Sequence, residues 1–563
     1  MAKARIPNKD ITLRPPEETE RLEMAAEVEE ILGHAKYRLT LLGAFAFLLL
    51  SLLVVGAQNV QQINSQGIAY LLLAKHYVAG EFGLAISSYW SPFLSWLIAI
   101  GLKLGWDDLT SARVATGLAG FLFWFGSMFL FFVAKLPTRS FLAATWLATF
   151  VAVPWSIEYI SPDLLGAALI VWATAFSFYS FRLRSMKTSL AAGVCWGLVY
   201  YANAMLLPVV IATLIGFGIL GYIGAAYDPK AWLKSTILQA TLALVIMAPW
   251  WVVLNNAYGE FTLTSAWRIN YAVAGPQGEE QYHPCFLDFN PPAEGRLTNW
   301  EDPARLEYIE WSASESKENQ EHQDHLVNAN LDASLMIFRG FGAFGIAIVA
   351  LLCCLVSRKP LGKSTWSQSW RWVIVPVIAN VLAFVPFSVS QFDTRYFAAC
   401  FPLAVLAAFA FLHWLPQQAK WDGFPHAFAN GLVAVLFALP LVPRLASSLE
   451  GIPNPGGYAT IDLVDRLQQA QIKGPIAGDG LLVGSRTGLF VAALMNQPWY
   501  GDKYGVVGTD YMTCGADYII VHRQHRVNSD MEFNPAFRDL DTVLFPDELQ
   551  AEQYPLKVYQ VNR

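Results

Sequence analysis

Apolar runs of about twenty residues, long enough to cross a bilayer, alternate with short polar breaks through most of this chain. They cover 39–57, 92–105, 112–134, 141–155, 164–181, 190–202, 205–225, 236–254, 334–356, 372–389, 396–414 and 427–447. The run 92–105 falls short of the roughly 17–25 residues of a crossing, so it predicts an interfacial helix and leaves about eleven spans. One stretch breaks the pattern. Residues 66–96, QGIAYLLLAKHYVAGEFGLAISSYWSPFLSW, are too polar and interrupted to be a span. A helix over 66–78 would place Gln66, Tyr70, Leu73 and Tyr77 on one face, at ~100° per residue. Gly80 and Gly83 mark a link, and Tyr89-Trp90-Ser91-Pro92 opens the next helix. Such a part-amphipathic excursion predicts helices lying in the membrane interface beside a site, or a plain interfacial loop.

After residue 447 the pattern shortens. Pro475–Ala477, Ala516–Val521, Thr542–Phe545 and Leu556–Val561 read as strands and Leu489–Met495 as helix, predicting a small α/β domain over 448–563. Gly478-Asp479-Gly480 and Gly484 mark turns; without a GxxG continuation they make a weak nucleotide motif. The segment 255–333 is aromatic, acidic and aperiodic, as long loops that are functional or disordered tend to be.

Composition agrees with a membrane protein. Of 563 residues, 55% are hydrophobic and only 15% charged, against ~25% charged in soluble domains. A net charge of −6 offers no basic footprint for nucleic acid. Basic residues recur in alternate loops: Lys36/Arg38, Lys135/Arg139, Arg182/Arg184/Lys187, Lys230/Lys234, Arg358/Lys359/Lys363/Arg371 and Lys420. The positive-inside rule then makes 1–38 a cytoplasmic segment, 39–447 the transmembrane domain with its large outer loop 255–333, and 448–563 extracytoplasmic. The polar 1–38 makes 39–57 an uncleaved anchor in this reading. Cys195, Cys353, Cys354 and Cys400 fall in spans as small hydrophobes; Cys285 and Cys514 share the outer side, where a bridge is not favoured. No metal-site spacing is present.

Candidate chemistry lies on the outer side. Glu158 and Asp163 flank the loop before 164–181, although Ser161, Pro162 and Asp163 also make a good helix start. Arg339 sits inside one span, Arg395-Tyr396 opens another and Arg268 lies in the large loop. Guanidinium groups on that side would form a clamp for a phosphate, or anchor the chain at the interface. His76 and His283 are lone histidines, acid/base candidates or structural groups.

The order of these segments resembles the bacterial dolichyl-phosphate-mannose/aminoarabinose transferase superfamily of C-type membrane glycosyltransferases. The likeness spans most of 39–450 and rests on the polar segment after the first span, Tyr89-Trp90-Ser91-Pro92, Ser161-Pro162-Asp163 and Arg395-Tyr396 with Pro402. It implies transfer of a sugar from a polyprenyl-phosphate carrier to a lipid, glycan or protein acceptor at the outer face of a bacterial plasma membrane. Asp163 or Glu158 would be the site acid, and Arg268, Arg339, Arg395, Tyr396, Tyr70 and Trp90 would contact substrate. No cofactor is indicated, with a divalent metal left open. The family's first-loop aspartate falls on Gln66 in Gln66-Gly67-Ile68-Ala69-Tyr70, and Asn203 stands where relatives often carry Lys or Arg. An amide is no general base. The chain is therefore expected to be an enzyme rebuilt around the second acid. The alternative is an inactive relative that binds a lipid-linked glycan or scaffolds an envelope complex.

Overall fold

Helices form along most of the apolar runs; Asp107 caps the one that begins at Asp108, and prolines precede those that begin at Phe93, Thr138 and Asp163. A computed structural model describes residues 16–61, 64–222, 229–276, 283–286, 289–340, 375–379, 387, 389–390, 394–419, 425–450, 455–479, 486–503, 508–524, 526–545, 547, 552 and 554–562. In chain order come α1 (Pro16–Gly33), α2 (Ala35–Leu50), α3 (Gly56–Gln58), α4 (Ser65–Ala79), α5 (Phe93–Lys103), α6 (Asp108–Val133), α7 (Thr138–Glu158), α8 (Asp163–Leu183), α9 (Met186–Ala202), α10 (Leu207–Tyr222), α11 (Pro229–Tyr258), α12 (Ala266–Val273) and α13 (Lys317–Gly340). A π turn, Ser51–Val55, joins α2 to α3. Helices Cys400–Ala419, His426–Ala438 and Leu441–Glu450 follow.

Five helices among the described residues are long and apolar enough to cross a membrane: Ala35–Gln58, α6, α7, α8 and the helix ending at Tyr258. The run 427–447 is a bent pair, His426–Ala438 and Leu441–Glu450, which meet at 53° and make either one broken span or a re-entrant loop. Most of the expected spans 334–356 and 372–389, and Cys353, Cys354, Lys363, Lys420, Gly480 and Gly484, lie outside the described residues. The loop boundary expected at 333 is no break: α13 runs from Lys317 through to Gly340. In the bundle α6 packs on α7 and α8, α8 on α9, and α9 on α11. Close approach of α9 and α11 uses missing side chains: a Cβ on Gly193 or Gly197 would meet the Gln239 or Ala243 carbonyl at 3.0 or 3.1 Å, the small-residue packing favoured inside membranes.

The helix α4 holds the site in place. Asn64 precedes it and exchanges two hydrogen bonds with Ile160: its Nδ2 donates to the Ile160 carbonyl at 3.3 Å and its Oδ1 accepts from Ile160 N–H at 3.1 Å. That contact requires a glycine, since a Cβ on Gly67 would stand 2.7 Å from Ile160 Cβ. The helix closes in a Schellman turn: Glu81 N–H donates to His76 O and Gly80 N–H to Tyr77 O, with Gly80 at φ 80°. Residues 67–74 are all buried, so α4 is not the half-wetted surface helix the sequence predicts. The C-terminal domain covers its other side, and Leu71 and Leu72 share one apolar cluster with Leu463 and Leu489. Lys75 secures the contact. Its Nζ donates to Ala493 O (3.2 Å) and Asn496 Oδ1 (2.7 Å) and pairs with Asp108 (2.6 Å), a cation at the C-terminus of the helix Thr487–Met495.

That domain is a five-stranded sheet in the order β2-β1-β3-β5-β4. Its strands are β1 (Ile476–Asp479), β2 (Trp499–Lys503), β3 (Tyr518–His522), β4 (Phe537–Asp539) and β5 (Leu556–Val561). β1 lies parallel to β2 and β3, and β5 runs antiparallel to β3 and β4. The expected strand Thr542–Phe545 is instead a helical turn, Asp541–Leu544, started by Asp539 Oδ1 accepting the Asp541 N–H. Gly478 lies within β1 rather than in a turn; a Cβ there would collide with the Asp502 carboxylate and stand 3.2 Å from the Gly488 Cα. Cys285 and Cys514 are free thiols.

Candidate functional site

Ile160, pinned by Asn64, leads straight into Ser161-Pro162-Asp163, where α8 begins. This places the Asp163 carboxylate beside the first turn of α4 and the Thr394–Phe397 turn. Arg395 joins all three. Its Nη1 donates to Gln66 Oε1 at 2.9 Å, its Nε lies 3.8 Å from Asp163 Oδ2, and its guanidinium covers the Tyr159 ring at 4.9 Å. Asn203 Nδ2 donates to the other Asp163 oxygen at 3.0 Å. Acid and base side chains are 9% and 12% exposed. Two small cavities adjoin the pair, one against Trp155, Tyr159 and Ser161, the other against Leu206 and Tyr396. The first measures about 10 Å³, the room of about one water.

The aromatic run opening α5 organises the surroundings. Trp90 Nε1 donates to Trp300 O at 2.8 Å, and Trp300 Nε1 to Ser65 O at 2.9 Å, fastening the large loop over the start of α4. Tyr89 donates to Asn270 at 2.7 Å, and Ser91 accepts the Ala204 N–H at 2.8 Å. Tyr70 is buried edge-on to Trp90, 5.3 Å between centroids. Burial first and the Asp163 charge second push its hydroxyl well above the ordinary value, so it stays protonated. Tyr396 stacks on Phe387 at 4.7 Å.

The sequence candidates thus separate. Gln66, Asp163, Arg395, Tyr396 and Tyr70 converge, whereas Trp90 gives its indole N–H to the loop. Arg268 is 57% exposed and faces Glu310 at 3.7 Å, outside the buried cluster. The backbone of Arg339 continues α13, and its side chain lies outside the described residues. Both oxygens of Glu158 are engaged: Arg444 donates to them at 3.2, 3.1 and 2.6 Å, and Ser448 Oγ donates at 2.7 Å. Arg444 also lies 5.5 Å over Trp155. Glu158 therefore ties α7 to the helix Leu441–Glu450. Glu158→Gln should lower the thermal midpoint, by about 1–3 kcal/mol of stability for a disturbed charged hydrogen bond, without removing the Asp163 cluster. A melt set beside activity per folded molecule separates that effect from a loss of chemistry.

His76, at the other end of α4, is a latch. Glu81 Oε2 sits 2.7 Å from its Nδ1 and Glu301 Oε2 2.7 Å from its Nε2. Two carboxylates are satisfied together only by an imidazolium, which donates from both. Burial alone lowers its pKa, but bonding to Glu301 and then Glu81 outweighs this and leaves it raised. Glu301 caps Thr298 and lies 3.8 Å from Arg296, which with Arg305 and Tyr258 surrounds Asp302. With the folded pKa raised, the latch contributes fully below about pH 6.5, the unfolded value. It weakens as pH rises through the folded pKa. His76→Gln should cost most stability below pH 6.5 and progressively less above it, as read from melts across pH. His283 is the opposite case. Burial, then Arg486, pushes it down to about 3, so it is neutral among Tyr89, Phe286, Trp300 and Tyr308. Among the described residues no three His, Cys, Asp or Glu gather as a metal site.

No protein-family profile matches the chain, and no curated protein sequence does. Solved structures do. ArnT from Cupriavidus metallidurans bound to undecaprenyl phosphate is 15% identical, with 92% of this chain and 98% of that chain covered at a TM-score of 0.52. Its apo state is 14% identical, with 92% and 97% covered and a TM-score of 0.52. The oligosaccharyltransferase of Archaeoglobus fulgidus in complex with Zn and sulfate is 11% identical, with 90% and 71% covered and a TM-score of 0.49. ArnT matches from end to end at an identity that speaks only for the fold. In that fold the chain resembles the C-type membrane glycosyltransferases.

Proposed function

We propose that the chain transfers a sugar from a polyprenyl-phosphate carrier to a lipid, glycan or protein acceptor at the outer face of a bacterial plasma membrane. About eleven spans would carry the site. The observation that bears most on this is the buried Asp163–Arg395 pair, where an acid and a cation share one position between α4 and α8. Transfer from such a carrier needs a carboxylate to take the acceptor proton and a cation to stabilise the leaving phosphate. The pair also couples the two roles. While Arg395 faces Asp163 and Gln66 it neutralises the carboxylate. A carrier phosphate entering on the same side draws the guanidinium onto its own oxygens and leaves Asp163 with an oxygen open to the acceptor hydroxyl. Because the adjoining cavity holds about one water, sugar entry requires the Thr394–Phe397 turn to shift, and that turn carries Arg395. Bound undecaprenyl phosphate in the ArnT structure supports a carrier of this class.

A second reading, a non-catalytic binder of lipid-linked glycan, is favoured by Gln66 at the usual acidic position and by Asn203 bonded to the remaining acid. Purification followed by mass spectrometry of co-purifying lipids identifies carrier and sugar, and a transfer assay with that donor separates enzyme from binder. The orientation has its own check. An impermeant thiol reagent on intact cells should label a cysteine placed at Asp530 and spare one at Lys363. Labelling of both from outside overturns the topology and the location of the site.

A further inference from the structure

A groove opens along the outside of the helical bundle. The first span, α6 and the end of α7 enclose a groove of about 430 Å³ lined by Leu53, Gly56, Arg113, Gly117, Phe121 and Ser156 among others. Its shape is built in. The π turn Ser51–Val55 contributes Leu52 and Leu53 to its wall, and such turns gather at functional positions. Gly56 and Gly117 both face open space, for a Cβ on either would meet nothing within 4 Å. Leu53 and Leu118, at 61% and 43% exposure, present apolar rims. Within these walls sits Arg113, 8% exposed, whose Nη1 donates to Ile157 O at 2.5 Å. An arginine near the start of an apolar span faces a cavity or the headgroup region.

We infer that this groove holds one anionic glycerophospholipid, its phosphate at Arg113 and one acyl chain along Gly117 and Phe121. Charge complementarity selects an anionic headgroup. Depth selects the kind of lipid. The lining runs from Thr110 to Phe121 on α6 and from Leu49 to Val60 on the first span, about 16 Å at 1.5 Å per residue. That is half of a hydrocarbon core of about 30 Å, one leaflet deep. A leaflet phospholipid fits such a slot, whereas a polyprenyl chain of many isoprene units overruns it. The lipid would brace α7 just before Glu158 and Ile160, the residues that lead to Asp163. This inference stands independently of the sugar-transfer reading.

The test uses the full-length protein in detergent, supplied in turn with phosphatidylglycerol, phosphatidylcholine and undecaprenyl phosphate, with retained lipid read by native mass spectrometry. Wild type should hold one phosphatidylglycerol in preference to phosphatidylcholine. Gly117→Leu should fill the groove and lower retention roughly tenfold or more, and Arg113→Gln should erase the preference for the anionic lipid. Because Gly117 faces open space, Gly117→Leu keeps the test valid even if Arg113→Gln folds poorly. Unchanged retention in Gly117→Leu, or equal retention of both phospholipids by wild type, overturns the proposal. So does displacement of phosphatidylglycerol by undecaprenyl phosphate, which gives the groove to the carrier, or a wild-type dimer that Gly117→Leu converts to monomer.

Discussion

Asp163→Asn should reduce sugar transfer by about 10²–10⁴-fold, the contribution of a positioned general base, while leaving the fold and carrier binding in place. The amide keeps the shape of the side chain and can still bond Asn203 and face Arg395, so the loss reports the proton-accepting role. Gln66→Asp is the companion experiment. Its carboxylate would stand across Arg395 from Asp163, at the position where the resemblance implies an acid. If the chain is an enzyme rebuilt around Asp163, Gln66→Asp adds little. If it has lost its chemistry, wild type is silent and Gln66→Asp gains transfer. Robust wild-type transfer that survives Asp163→Asn moves the base elsewhere. Glu158 is not the next candidate, because Arg444 and Ser448 already occupy both of its oxygens.

Arg395→Ala should weaken binding of polyprenyl phosphate by about 2–5 kcal/mol, the range for truncating one side of a buried charged pair. Isothermal titration or lipid retention with undecaprenyl phosphate measures it. Arg395→Lys should recover only part, since a point charge cannot fork onto phosphate oxygens while still reaching Gln66. The variant also leaves Asp163 without its cation, so its activity should fall further than its affinity. Equal carrier binding in wild type and Arg395→Ala makes the arginine a clasp between α4 and α8 and nothing more.

What was legible in the sequence was local. Helical periodicity placed α4 at 66–78 against the observed Ser65–Ala79, and Ser161-Pro162-Asp163 announced the start of α8. β3 and β5 were visible because their apolar residues run together or alternate, and β1 by the short Pro475–Ala477 run ahead of its glycine. β2, with Gly501 and Asp502 inside it, and the three-residue β4 fall below any such period. Partnerships were not legible at all. Glu158 finds Arg444 at a separation of 286 residues, and Gln66 finds Arg395 at 329. Nothing in a local pattern distinguishes a carboxylate that staples two helices from one left for chemistry. His76 hid for the same reason, since one of its two acids, Glu301, arrives from 225 residues away. The cover on α4 was equally invisible, because an apolar face meant for a bilayer reads the same as one meant for a protein domain.

The sheet order has a bearing on biogenesis. β5 lies between β3 and β4, so the sheet stays open until residues 556–561 have emerged from the ribosome. Lys75 of α4 waits for Ala493 of that domain, 418 residues later. A nascent chain halted before β5 would carry every expected span yet leave the apolar upper face of α4 bare, an exposed surface of the kind that incomplete intermediates present to chaperones and proteases. Quality control would therefore recognise unfinished molecules by α4 itself.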